Sequence, residues 1–183
     1  MMEAGQTAPP ALQELLRDGK FAGSWALDAA RSEVGLKSKS MWGMLAVKGA
    51  FREVTGSGTV SAAGDVAGTV TVAAGSIDTK MKKRDDHLRS ADFFDVANTP
   101  DITFTAEQVT PSGEGVTVTG ALTVRDRTRP VSFPARVTVL DGTQVELDGE
   151  LQVNRSDFGL TWNQLGMVSA QNTITVHAVF TRQ

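Results

Sequence analysis

The sequence predicts an all-β fold, an antiparallel barrel of about eight strands, and three observations lead there. Apolar residues recur at every second position through most of the chain after Ser24, and that period buries one face of an extended strand. Turn signals short enough for hairpins separate the long alternating runs, as in PSGEG at 111–115 and LDGTQ at 140–144. Closing such strands into a barrel removes the unpaired edges that a two-sheet sandwich would leave.

The elements follow in chain order. Pro9 and Pro10 precede ALQELLRDG, where Leu12, Leu15 and Leu16 fall at i, i+3 and i+4 and Gly19 supplies a stop. This spacing predicts a short amphipathic helix. A helix so short is marginal alone. Its leucine face is expected to dock on the barrel or on a second subunit, or the segment is a loosely docked tail. The N-terminal extension is expected over 1–23 and the barrel over 24–183.

Strands are expected at 24–28, 32–39, 45–61, 65–75 and 101–109. Val116, Val118, Gly120, Leu122 and Val124 then alternate with Thr117, Thr119, Ala121, Thr123 and Arg125. Val131 to Val139, Val145 to Val153 and Ile174 to Phe180 repeat the pattern. One stretch breaks it, SIDTKMKKRDDHLRSADFFDV at 76–96, where a helical clasp is expected around 80–92. There Asp85 and Arg89 are spaced to pair along a helical turn, Leu88 to anchor it, and Phe93 with Phe94 to seal one end of the barrel.

Composition narrows the function. The chain has 183 residues, 40% of them hydrophobic, enough for one domain with a real core. Its net charge is -3 and its 18 basic residues are dispersed, so the broad basic footprint of a nucleic-acid binder is missing. The one dense basic run, Lys80, Lys82, Lys83 and Arg84, reads as a solvated face. Without cysteine there is no disulfide, thiolate catalysis or cysteine zinc site. The N-terminus lacks a basic start followed by an apolar run. The chain is therefore expected to be soluble and cytoplasmic, with no stable membrane insertion.

Catalytic motifs are scarce. Asp85 and Asp86, as neighbours on a helix, point about 100° apart and make no carboxylate pair. His87 as general base beside Asp85, with Arg84 or Arg89 as oxyanion partner, is the enzymatic alternative, acting on a hydrophobic substrate at the barrel mouth. His177 falls on the face opposite Ile174, Val176, Ala178 and Phe180, and no two histidines stand at ligand spacing. GSGTVS at 56–61 lacks the third glycine of a dinucleotide loop. No catalytic residue, metal or cofactor is assigned.

A pocket is the better expectation. Gly68, Ala74, Gly120, Ala135, Gly149 and Ala178 place small residues in five apolar rows, which thins the interior if they face inward. A glycine in a strand otherwise marks a bulge or bend, and an interior packed solid is a third possibility. MWGML at 41–45 and TWNQLGMV at 161–168 are adaptable apolar segments that suit either a core or the wall around a flexible guest.

SWALDAARSEVGLKSK, VKGAFREVTG, SIDTKMKKRDDHLRSADFFDV, PDITF, VTGALTVRDRTRPVSF and VNRSDFGL resemble, in order, the motifs of the YceI-like family of polyisoprenoid-binding proteins. The likeness runs from about Trp25 to the C-terminus. It implies an extended, lipocalin-like antiparallel barrel that encloses an isoprenoid or other long-chain lipid for storage, transport or sequestration, often as a homodimer. Many members carry a signal peptide and a Lys-His pair after the second strand. Here that place reads Lys39-Ser40-Met41-Trp42. The candidate ligand wall comprises Met41, Trp42, Met44, Phe93, Phe94, Phe104, Phe133, Phe158, Trp162, Leu165 and Met167. The candidate head-group residues are Arg84, His87 and Arg89.

Overall fold

Eight strands close into the expected antiparallel barrel in a computed structural model that describes residues 12–113, 115–163 and 168–183. Among the described residues there are eleven strands: β1 (Gly23–Leu27), β2 (Glu33–Ser40), β3 (Leu45–Phe51), β4 (Val54–Val60), β5 (Val66–Ala73), β6 (Ile77–Asp78), β7 (Asp101–Ser112), β8 (Gly115–Val124), β9 (Arg127–Asp141), β10 (Gln144–Asn154) and β11 (Gln171–Arg182). The ring runs β1-β4-β5-β7-β8-β9-β10-β11 and returns to β1, while β2, β3 and β6 extend one end of it from β11. Among the described residues the α-helices are α1 (Leu12–Arg17) and α2 (Lys82–Arg89).

The chain changes direction where side chains replace the ladder. β11 pairs with β2 through Thr173–His177 and with β1 through Phe180–Arg182, so β1 and β2 are one path bent at a 3-10 turn. Asp28 caps that turn by accepting from Ala30 N at 3.1 Å. Ser32 Oγ donates to Asp28 O at 2.7 Å and accepts from Val179 N at 3.0 Å, so the β11 amide opposite the bend keeps a partner.

The expected single strand at 45–61 is likewise two. At Arg52 and Glu53 the amides donate to Ser76 O and Ser76 Oγ, each at 3.1 Å. β4 continues beside β5 while β3 turns toward β6. The gap that opens is filled by α2 and by Phe93 and Phe94, both buried among Phe51, Ile77, Leu122 and Phe158. The clasp thus closes one end of the barrel. α1 closes the other: Leu16 is buried with Phe21 and Trp25, and Trp25 Nε1 donates to Phe21 O at 2.9 Å. The helix docks on its own barrel.

The thinned-interior reading needs correction. A Cβ on Gly120 would strike Thr105 O and the ring of Phe104, and one on Gly149 would meet Phe133 at 2.9 Å. Gly120 lies beside the β7 register shift between Ala106 and Gln108. These glycines admit a neighbouring backbone or ring and leave no space behind. Of the six small residues only Gly68 and Ala178 border the cavity.

Candidate functional site

A cavity of about 510 Å³ runs along the barrel interior, within the range of small-molecule sites. The solid-core alternative is excluded. Its wall is built from the inward faces of the strands, with Val34, Val70, Val118, Leu122 and Leu151 among the aliphatic contributors, and from six of the expected aromatics: Phe93, Phe94, Phe104, Phe133, Phe158 and Trp162. Leu165 and Met167 lie outside the described residues. Met41, Trp42 and Met44 do not line the cavity. They form the exposed tip of the β2–β3 hairpin, because the strands end before the tip and carry it past the barrel rim.

Polar side chains gather at the end near α2 and the 155–163 segment. Arg84, His87 and Arg155 reach the wall, Lys39 borders it only through the backbone between Ser38 and Ser40 with its side chain on the outer face by alternation, and no Asp or Glu borders it among the described residues. Among the described residues Arg84 and Arg155 take part in no ion pair. Arg84 is held by Thr79, donating from Nε to Thr79 Oγ1 and from Nη2 to Thr79 O, both at 2.7 Å. Thr79 in turn donates to buried Asp85, from N at 3.0 Å and from Oγ1 at 2.5 Å. Asp85 therefore orients the clasp from beneath.

The expected Asp85–Arg89 pair does not form. Arg89 Nη1 meets Asp86 at 3.1 Å, while its Nε and Nη2 donate to Gly75 O at 2.8 Å and Ile77 O at 3.1 Å. Turned toward the backbone below the clasp, Arg89 lies outside the cavity wall, unlike the expectation that grouped it with Arg84 and His87. His87 does reach the wall. Its Nε2 lies 2.8 Å from Asp92 Oδ2, and its ring stands edge-on to Trp162 and Phe93, with centroids 4.4 and 5.1 Å away.

Arg155, 8% exposed, was visible in the sequence only as part of a motif. Its Nη1 donates to Leu160 O at 2.9 Å and Trp162 O at 2.7 Å, and its Nε donates to Ser169 O at 3.0 Å. One guanidinium thus gathers both arms of the segment between β10 and β11. Burial lowers its pKa from the ordinary arginine value, since desolvation disfavours the charged form.

On the outer surface β10 and β11 bring together Glu146, Asp148 and His177, whose ligand-type atoms lie within 4.8 Å of one another. Sequence reading placed His177 correctly toward solvent but missed this cluster, which depends on the register pairing Asp148 with His177. His177 Nδ1 is 2.6 Å from Asp148 and Nε2 is 3.2 Å from Glu146. The hydrogen bond to Asp148 raises the histidine pKa, burial opposes it less strongly, and the charges of Asp148, Glu146 and Glu33 each add a smaller rise. Its stabilising effect is fully present below the unfolded pKa near 6.5 and is lost as pH rises through the folded value. Exposed pairs of this kind contribute about 0.2–1 kcal/mol. An NMR titration of the His177 ring is expected to show a midpoint above the unfolded value, moving back toward it in Asp148→Asn; equal midpoints would contradict the pairing.

The YceI-like domain matches residues 25–180. The chain belongs to the YceI-like family. Protein YceI of Salmonella arizonae and of Salmonella newport are each 35% identical to it over 107 residues, 56% of this chain and 56% of theirs. The match thus spans little more than half the length of these relatives. Among solved structures, Burkholderia cenocepacia BcnA superposes with a TM-score of 0.76 at 27% identity, covering 84% of this chain and 98% of BcnA. A polyisoprenoid binding domain from Saccharophagus degradans, implicated in plant cell wall breakdown, superposes at 0.70 with 16% identity, covering 87% and 98%. At that identity the second likeness concerns the fold.

Proposed function

We propose that this YceI-like barrel carries a long apolar chain with an anionic head, a polyprenyl phosphate or a comparable prenyl lipid, for storage, transfer or sequestration without covalent chemistry. The observation that carries the reading is the cavity wall: apolar along its length, with Arg84, His87 and Arg155 at one end and no carboxylate among the described residues. An aliphatic interior stabilises a prenyl tail by about 0.8 kcal/mol per buried methylene, before ordering costs. Arg84 and Arg155 supply the positive potential that an anionic head requires. The polyisoprenoid-binding Saccharophagus domain, alike in fold, and the shared family agree with it. In this reading His87 packs the wall between Phe93 and Trp162 and performs no proton transfer.

The test is a fluorescence titration with a long polyprenyl phosphate, the matching polyprenol and inorganic phosphate. A hydrogen bond to a charged group is worth about 1.5–3 kcal/mol, so the phosphate should bind at least about tenfold more tightly than the alcohol. Inorganic phosphate alone should show no saturable binding. Equal affinity for phosphate and alcohol would remove the head-group assignment, and failure of both lipids to bind would remove the carrier.

A further inference from the structure

We infer that the β2–β3 tip is a docking device for an anionic lipid bilayer, with Met41, Trp42, Met44 and Leu45 entering the interface and Lys37, Lys39 and Lys48 facing the head groups. The four tip residues are 46%, 65%, 88% and 49% exposed, an apolar cluster of the kind that soluble surfaces seldom present without a partner. Met41 and Trp42 hold φ of 52° and 55°, with Gly43 at 87° beside them. Side chains rarely adopt this left-handed conformation, and here it turns a methionine and a tryptophan outward. Tryptophan is the side chain most at home at a membrane–water boundary.

The charge beneath the tip names the partner. From Val34 to Phe51 the hairpin has three lysines and no carboxylate. Lys37 stands directly across from Lys48, an arrangement of like charges that weakens a strand pair. The neighbouring edge adds to the positive field. The chain leaves β6 toward the tip, with Thr79 beside Gly49, and continues into Lys80, exposed Met81 and Lys83. The carboxylates beside this run are already engaged, Asp78 by Arg52 and Lys80, buried Asp85 by Thr79, and Asp86 by Lys82 and Arg89. Such a basic collar is attracted to an anionic leaflet, each lysine adding to the affinity.

A second copy of the chain is the weaker occupant. A two-fold contact centred on the tip would set Lys37, Lys39 and Lys48 against their own copies. The site also joins the cavity: Ser38, Lys39 and Ser40 belong to its wall, and Lys39 O accepts from Ser169 N at 3.0 Å. Docking would bring the cationic end of the barrel to the bilayer. It does not depend on the identity of any cavity ligand.

Sedimentation with vesicles of phosphatidylcholine and phosphatidylglycerol, against vesicles of phosphatidylcholine alone, tests this. The parent is expected to bind the anionic vesicles, and added salt to weaken the binding. Trp42→Ser with Met44→Ser, and separately Lys37→Glu with Lys48→Glu, should each lower affinity by about tenfold or more. Leu140→Ser, a site as exposed as Met41 and Leu45 but in the β9–β10 region at the other end of the barrel by register, should bind like the parent. Circular dichroism verifies that all variants fold. A parent that ignores both vesicle types, or tip variants that bind as the parent does, would overturn the proposal. So would self-association in analytical ultracentrifugation that Trp42→Ser abolishes without any vesicle binding, which would assign the tip to a second copy.

Discussion

Gly120→Leu is expected to prevent the barrel from closing, at a cost of at least about 4 kcal/mol, near the upper end of what single substitutions do. At this position even a methyl group has no room, because the carbonyl of Thr105 and the ring of Phe104 stand where it would go. A flexible side chain could swing aside, but Thr105 O belongs to the β7 backbone beside the register shift opposite Gly120. Moving it would disturb the ladder between two of the longest strands. Domains of this kind are stable by about 5–15 kcal/mol in total, so the loss is a large share of the whole. Gly75→Ala makes the contrast, since a Cβ there meets only Val96 Cγ1 at 4.0 Å, and it should stay within about 0.5 kcal/mol of the parent. Urea unfolding of both variants checks the pair. A Gly120→Leu protein with the parental midpoint would show that the position yields.

Arg155→Met ranks next, with an expected cost of about 3 kcal/mol or more. The methionine keeps much of the apolar stem but removes the donors that hold Leu160 O, Trp162 O and Ser169 O within 2.7–3.0 Å. Each carbonyl left buried without a partner costs about 1–3 kcal/mol, and water entering a loosened segment recovers part of it. Lysine is no substitute, because a single ammonium lacks the planar fork that reaches both arms of the segment. Two readouts are expected to move together: a lower urea midpoint, and faster amide exchange across the described residues from Leu160 to Ala170. Unchanged exchange there would mean that packing of Phe158 and Trp162 holds the segment without the guanidinium.

The barrel was legible because its causes are local and repeated. β8 reads inside and out by alternation alone, with Val116, Val118, Leu122 and Val124 buried. The helix at Leu12–Arg17 was visible in its leucine spacing and the clasp in its break with period two. What escaped were events between strands. The splitting of 45–61 depends on Ser76, more than twenty residues away, capturing two amides. The role of Gly120 depends on which carbonyl lies across from it. The candidate wall divided for the same reason: aromatics within strands or beneath the clasp face the cavity, whereas Met41, Trp42 and Met44 resemble core residues in composition but sit on a hairpin tip, where position overrides hydrophobicity. Arg89 resembled a free cation because the carbonyls of Gly75 and Ile77 that consume it leave no mark in a sequence.

Mass spectrometry of an organic extract of the purified protein addresses the carrier directly. The account expects one prenyl lipid bearing an acidic head, near one molecule per chain, to be released by solvent and rebound when added back. Preparations that are repeatedly empty and also reject added polyprenyl phosphate would contradict it.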